Sequence, residues 1–310
     1  MTRLFERVAI IGLGLIGSSL ARAVRKAGIA GKIIAIDGNE AVCARVAELD
    51  LADTVTSNLV EGTREADLVV FCVPVLANAA VAEIVGPHLK PGAIVSDVGS
   101  VKGSVVRDIG PHLAEGVHFV PAHPVAGTEH SGPDAGFAEL FVNRWSILTP
   151  PPEADETAIA KVHAFWEAIG ANVEIMTPEH HDLVLAITSH VPHLIAYNIV
   201  GTAADMEKVT QGEVIKFSAG GFRDFTRIAA SDPTMWRDVF LTNKEAVLEM
   251  LGRFNEDLAA LQRAIRWGDG DALHKLFTRT RAIRRSIIAS GQETAAPNFG
   301  RQHDPLLPKP

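Results

Sequence analysis

Apolar and polar positions alternate in two distinct rhythms along this chain. Val8-Ala9-Ile10-Ile11 is a short continuous apolar run, as in a strand buried on both faces, and Ser18-Ser19-Leu20-Ala21-Arg22-Ala23-Val24 then places apolar residues at helical spacing. The rhythm recurs: strands are expected at Lys32–Ile36, Asp67–Val73, Ala93–Asp97 and Val117–Pro121, with two more at Arg144–Thr149 and Val173–Met176. Helical stretches lie between them, around residues 39–50, 76–86, 101–113 and 155–169. Such a βαβ succession predicts an α/β fold with a doubly wound, mainly parallel Rossmann-type sheet.

Beyond Thr177-Pro178-Glu179 the strand signal stops. Pro178 suits the first turn of a helix, and the remainder reads as an all-α part with breaks near 219–221, 232–233 and 268–270. Val247, Leu251, Phe254, Leu258, Leu261 and Ile265 recur at alternating gaps of four and three, a coiled-coil-like seam. Two readings of it stand: packing within the chain, or a dimer interface. The residues from 291 to 310 hold four prolines and few large apolar groups, and are expected to be disordered. The expected organisation is a dinucleotide-binding domain over 1–178, a helical substrate and dimerisation domain over 179–290, and a tail.

Chemistry enters at the first strand. Gly12, Gly14 and Gly17 form Gly-x-Gly-x-x-Gly directly after it, with Leu15 and Ile16 opening the helix. The first glycine permits the tight turn, the second lets a pyrophosphate approach the backbone, and the third lets helix and strand pack closely. The helix N-terminus offers unpaired N–H groups to phosphate. The pattern alone is weak, but Asp37 ends the second strand 20 residues after Gly17, where a carboxylate takes the ribose hydroxyls. No Arg adjoins it to offset a 2′-phosphate, so NAD is expected rather than NADP. Val73 and Pro74, at the end of the Asp67–Val73 strand, should line the same cofactor site.

Net charge is −8, which argues against sequence-independent nucleic-acid binding and requires a local basic cluster for any anionic substrate. The basic run Arg279 to Arg285 reads as a solvated helix face. Cys43 and Cys72 are far apart, as reduced thiols are, and no apolar run approaches the length of a membrane span. The first strand begins too early to leave room for a signal peptide, so a cytoplasmic enzyme is expected.

His123, in His123-Pro124-Val125-Ala126-Gly127-Thr128-Glu129, follows the strand ending at Pro121 and is expected in a loop at the ligand-binding edge of the sheet. An imidazole there can take the proton of an alcohol as hydride leaves carbon. Ser100, in Ser96-Asp97-Val98-Gly99-Ser100-Val101-Lys102-Gly103, could bond that imidazole or the substrate hydroxyl, or simply cap the next helix. In Thr188-Ser189-His190-Val191-Pro192-His193 the histidine pair has zinc-like spacing, as does His180-His181. Neither has the further ligands a zinc site needs, so no metal is expected. Arg223, Arg227 and Arg237, within residues 220–238, could hold a carboxylate or pair with Asp224 and Asp238; function is favoured for Arg227.

Together these motifs, over about residues 7 to 290, resemble the prephenate/arogenate dehydrogenase family of tyrosine biosynthesis. The specific parts are His123–Glu129 and Gly220-Gly221-Phe222-Arg223-Asp224-Phe225-Thr226-Arg227. The resemblance implies a Rossmann domain joined to a helical dimerisation domain, NAD as cofactor, a small anionic cyclohexadienyl substrate and a homodimer. It implies that His123 is the acceptor on the ring hydroxyl, that Ser100 assists, and that Arg227 binds the ring carboxylate. Ser189 and His193 would contact substrate, Thr128 and Glu129 would shape the pocket, and Trp236 would line it. A β-hydroxyacid-type dehydrogenase would use a helical lysine; Lys208, Lys216 and Lys244 sit in no such setting. A non-catalytic NAD sensor would need no such set of histidine, serine and arginine.

Overall fold

In a computed structural model of the chain, residues 3–128, 130–210 and 219–289 are described, without the side chains of 207–210. Contacts divide it into two compact units, one running to Val247 and one from Leu248. Glu129, Lys216 and the expected tail lie outside the described residues, as does the side chain of Lys208.

The first unit is built on a six-stranded parallel sheet of order β3-β2-β1-β4-β5-β6. Its strands are β1 (Phe5–Ile11), β2 (Ala30–Ile36), β3 (Thr54–Thr56), β4 (Leu68–Phe71), β5 (Ile94–Asp97) and β6 (His118–Phe119). The crossover helices are α1 (Leu15–Ala27), α2 (Glu40–Glu48), α3 (Leu59–Thr63), α4 (Asn78–Val85) and α5 (Lys102–Ile109). Alternation in β1 shows why its stretch Val8–Ile11 reads as wholly apolar. Val8 and Ile10 enter one core with Leu20, Val24 and Trp166, while Ala9 and Ile11 enter the other with Val85, Val105 and Ile109. Only a sheet covered on both faces requires this.

Three further strands, β7 (Ala122–Pro124), β8 (Trp145–Leu148) and β9 (Asn172–Ile175), form a separate mixed sheet, with α6 (Glu156–Ala168) between β8 and β9. Pairing is antiparallel between β7 and β8 and parallel between β8 and β9. The strand expected over Val117–Pro121 therefore ends early, and the chain starts a new strand in another sheet at Ala122. His123 sits in that strand opposite Ile147, not in a loop as its Gly- and Pro-containing context suggests. The three-residue β3 gave no apolar run to find, because its residues are only partly buried.

α7 (Pro178–Leu185) opens with Thr177 as N-cap, whose hydroxyl accepts from His180 N–H at 3.2 Å. A single π turn, Ala186–His190, joins it to α8 (Val191–Thr210). Pro178–Met206 is the one described helical stretch long and apolar enough to cross a membrane by length and composition, contrary to the expectation that no such run exists. Serines and histidines break it into short apolar runs in the sequence. Buried in it are His181, Asp182 and His190, each hydrogen-bonded within the fold. α9 (Gly220–Thr226), a 3₁₀ turn over Arg227–Ala230 and α10 (Pro233–Thr242) follow.

The second unit contains most of α11 (Lys244–Trp267), together with α12 (Gly270–Ala289). Leu258, Ile265, Trp267, Phe277 and Ile283 are all at least half exposed. The seam is thus only partly covered by the chain itself.

Candidate active site

The glycine loop fulfils three separate demands. Gly12 has φ +94°, and a Cβ there would lie 2.7 Å from the Cys72 carbonyl oxygen. A Cβ on Gly17 would lie 1.9 Å from the Gly12 carbonyl oxygen. Both glycines are therefore required by packing. At Gly14 a Cβ would meet no protein atom within 4 Å, so the protein's own packing leaves glycine unexplained there; a pyrophosphate against the backbone explains it. Gly14 is the N-cap of α1, with no side-chain cap and no acid in the first turn, so the N–H groups of Leu15 and Ile16 stand at an uncapped helix N-terminus.

Asp37 closes β2 beside this loop. Its carboxylate accepts from Leu13 N–H at 2.8 Å and Asn39 N–H at 2.9 Å, which leaves lone pairs for ribose hydroxyls. Val73 and Pro74 follow β4, and Val73 N lies 3.1 Å from the position of a Gly12 Cβ. The ends of β1, β2 and β4 thus converge where an open α/β sheet binds its ligands.

His123 lies in β7, which starts the second sheet just after β6, and is 9% exposed. Its Nδ1 is 2.8 Å from His181 Nε2, and His181 Nδ1 is 2.8 Å from Asp182 Oδ1. Asp182 also accepts from the backbone N–H of Lys102 at 2.7 Å and of Gly103 at 2.8 Å, the first two residues of α5. The N-cap of α5 is Val101, not Ser100, and it makes no side-chain cap. A carboxylate eighty residues away takes its orphan donors, and Ser100 stays half-buried in the preceding turn.

Lys102 is fully buried, with its ammonium donating to Asp97 and to the Ala122 carbonyl at 2.6 Å. Asp97 accepts in turn from Ala122 N–H at 3.1 Å and Gly99 N–H at 2.7 Å. This pair ties the Ser100 turn to the strand that carries His123. Burial dominates the proton affinities nearby. It pushes His123 well below the usual histidine range, aided by the positive potential of His181, Lys102 and His190. His181 is lowered too, with Asp182 opposing the shift, and burial brings His190 to about 4.

A second cluster adjoins the first. His193 stacks on Trp236 with ring centroids 3.7 Å apart, and its Nδ1–H donates to the Ser189 carbonyl at 2.8 Å. Burial lowers the pKa of His193, with a contribution from the charge of Arg227. Trp236 is buried against Val101, the neighbour of Ser100. Asn243 links the clusters, its amide lying 3.1 Å from His190 Nδ1 and donating to the Asp182 carbonyl at 2.9 Å. Thr128 is half-buried and its hydroxyl accepts from His130 N–H at 3.3 Å. Arg223 is exposed and pairs with Asp224 at 3.3 Å, and Arg237 pairs with Asp238 at 2.6 Å, so both show the ion pairing weighed as their alternative. Arg223 lies in α9, while Arg227 opens the turn after it.

The residues that sequence reasoning missed are Asp97, Lys102, His181, Asp182, His190 and Asn243. His181 and His190 were noticed only as members of pairs with metal-like spacing, His180-His181 and His190–His193, and Asp97 and Lys102 only as neighbours of Ser100. His180 is exposed, and the described residues contain no group of three or more possible metal ligands.

A dinucleotide loop, a ribose-binding acid and a buried imidazole define an NAD-dependent dehydrogenase. Two family models match in sequence: the prephenate dehydrogenase nucleotide-binding domain over residues 20–175 and the prephenate dehydrogenase dimerization domain over 177–279. The chain belongs to the prephenate dehydrogenase family. It is 45% identical to the cyclohexadienyl dehydrogenase of Zymomonas mobilis over 91% of this chain and 96% of that one. Identity to the prephenate dehydrogenase of Bacillus subtilis is 32%, over 96% of this chain and 80% of that one. Among solved structures, it is similar to prephenate dehydrogenase from A. aeolicus in complex with hydroxyphenyl propionate and NAD+. There the TM-score is 0.85 at 35% identity, over 91% of this chain and 98% of that one. It also resembles Synechocystis arogenate dehydrogenase, with TM-score 0.76 at 29% identity over 90% and 99%.

Proposed function

We propose that this enzyme oxidises and decarboxylates prephenate, L-arogenate or both, giving 4-hydroxyphenylpyruvate or tyrosine. The observation that carries this reading is His123, buried in β7 with Nδ1 engaged by His181, which leaves Nε2 to a substrate hydroxyl. When bound, NAD+ accepts the hydride from the carbinol carbon. As that hydride leaves, His123 takes the hydroxyl proton at Nε2. The developing carbonyl is conjugated through the ring to the carbon bearing the carboxylate. The carbon–carboxylate bond then breaks, its electron pair runs to the carbonyl oxygen, and the ring becomes aromatic. His123 returns the proton to that oxygen, now phenolic, so the proton count closes with one CO2 and one NADH.

Gly12, Gly14, Leu15, Ile16, Gly17, Asp37, Val73 and Pro74 would hold the cofactor. Ser100 would bond the reacting hydroxyl, and Arg227 beside His193 would hold the ring carboxylate. That contact should orient rather than clamp, since tight ground-state binding would oppose departure of CO2. Ser189, His193, Trp236, Thr128, Glu129 and Arg223 would complete the substrate contacts.

In this reading residues 1–178 bind the dinucleotide, 179–290 bind substrate and dimerise, and the enzyme works in the cytoplasm. The half-exposed Leu258, Ile265 and Trp267 on α11 favour a homodimer through the helical part. Light scattering should give twice the chain mass, and Ile265→Glu should shift it toward one chain mass.

The activity is tested by following NADH formation with prephenate and with L-arogenate, each with NAD+ and NADP+. Turnover of either substrate, preferentially with NAD+, is expected, and the ratio of kcat/KM values identifies the substrate. Turnover of neither would defeat the reading.

A further inference from the structure

His181 and Asp182 are unused by the chemistry described so far, yet they form a continuous buried line behind the acceptor. Asp182 is fixed on both oxygens by the Lys102 and Gly103 N–H groups at the α5 N-terminus, where the helix dipole also favours its charge. An ionised carboxylate can only accept, so His181 must carry its proton on Nδ1, the atom 2.8 Å from Asp182. Neutral His181 then presents an unprotonated Nε2, and the Nδ1–H of His123 donates to it across 2.8 Å. That arrangement leaves His123 Nε2 without a proton, the tautomer the reaction needs.

We propose that Asp182 and His181 are positioning residues that set the tautomer of His123 and share the proton it gains. The inference rests on the proposed role of His123 as acceptor. As Nε2 of His123 takes the substrate proton, its Nδ1–H moves toward His181 Nε2, and the positive charge spreads over two rings held against one carboxylate. On return of the proton to the phenolic oxygen the line reverts, and no net proton is stored. The two rings cross nearly edge-on, with centroids 5.0 Å apart and planes at 67°, so the contact is made through the nitrogens rather than by stacking.

The electrostatic surroundings explain why such a line is needed. Lys102 faces the pair from α5 and His190 from the π turn, both disfavouring charge on His123, while Asp97 on β5 neutralises Lys102. Asn243, from the link between α10 and α11, holds the Asp182 carbonyl and His190 and brings no charge. Asp182 is the one carboxylate hydrogen-bonded to this histidine pair among the described residues. Without it an imidazolium at His123 would be desolvated, surrounded by positive potential and uncompensated.

Asp182→Asn is the direct test. Its amide can donate to His181 Nδ1, which would move that ring's proton to Nε2 and make His123 Nδ1 the acceptor. The reactive Nε2 of His123 would then be blocked by its own proton. Expected is a fall in kcat of about 10² to 10⁴-fold, the scale of losing a general base, with KM for NAD+ and substrate changed less than about threefold. The acid limb of the kcat profile should also shift. Nitrogen NMR of the cofactor-free protein reads the tautomer without turnover: wild type should carry protons on Nδ1 of both rings, and Asp182→Asn on Nε2 of both. His181→Gln keeps an acceptor for His123 but cannot share the proton, so it should retain the His123 tautomer and lose at least about tenfold in kcat. If Asp182→Asn does not fold, His181→Gln and the wild-type tautomers decide the matter. Wild-type His123 protonated on Nε2, or a folded variant with kcat and pH profile unchanged, would overturn the proposal. Wild-type protein inactive on both substrates but with the expected tautomers would instead count against the functional reading.

Discussion

At Gly12 a methyl group would sit 2.7 Å from the Cys72 carbonyl in a backbone at φ +94°, whereas at Gly14 it would meet no protein atom within 4 Å. One loop therefore holds a glycine kept for folding and a glycine kept for binding. Gly12→Ala should cost about 1–3 kcal/mol, the usual strain of a forced backbone, and lower Tm by several degrees. Gly14→Ala should leave Tm within about a degree while raising KM for NAD+ about tenfold or more, since tenfold is only ~1.4 kcal/mol of lost contact. Equal effects of the two on Tm would remove the distinction. His123 gives a second prediction at this scale. Burial and nearby positive potential hold it neutral well below the ordinary histidine range, so it is already an acceptor at pH 6.5. Below its depressed pKa it is protonated and cannot accept, hence kcat should be flat above pH 6.5 and fall only on the acid side. A kcat that climbs tenfold per pH unit between 6.5 and 8.5 would contradict this.

The π turn Ala186–His190 adds a residue to the helix between two functional clusters, with His181 and Asp182 before it and His193 after. One extra residue rotates everything downstream by about 100° relative to a continuous α-helix. That rotation lets His190 reach Asn243 while His193 stacks on Trp236. Deleting the half-exposed Ile187 should restore a regular helix and swing both histidines off their partners. Turnover should drop about 10²-fold, the cost of an ångström-scale misplacement, with NAD+ affinity unchanged because the glycine loop is untouched. Turnover within a factor of two of wild type would show the turn to be incidental.

This element also marks the limit of what the sequence discloses. Strand and helix order was legible because two-sided burial makes Val8–Ile11 of β1 and all of β4 continuous apolar runs, and the cofactor loop was legible because its glycines and Asp37 have fixed local spacing. His181 and Asp182 were not, because their partners are His123 and the α5 N-terminus, 58 and about 80 residues away. Local periodicity has no record of such contacts. Ser100 misleads for the same reason: a serine just before a helix usually caps it, and here a distant carboxylate does so.

Over the whole molecule, buried neutral histidines make acid a threat to stability. His190 titrates at about 4 in the fold against 6.5 when unfolded, so between those values the unfolded chain binds more protons. Its contribution is complete above pH 6.5 and fades as pH falls toward 4, about 2 kcal/mol being lost between pH 7 and pH 5. The lowered His123, His181 and His193 act in the same direction. Thermal scans should show Tm falling by several degrees over that interval; a constant Tm would refute burial of these rings as neutral groups. The same burial ties stability to chemistry, since the site stays dry and its acceptor unprotonated only while the fold keeps those rings from water. The account as a whole stands on coupled oxidation and decarboxylation at His123. The measurement that addresses it most directly is CO2 and NADH release from the preferred substrate, by wild type and His123→Asn, with NAD+ binding measured in parallel. The account predicts one CO2 per NADH in wild type and a fall of both by about 10² to 10⁴-fold in the variant, with NAD+ affinity unchanged. NADH formed without CO2, or a variant that turns over normally, would contradict it.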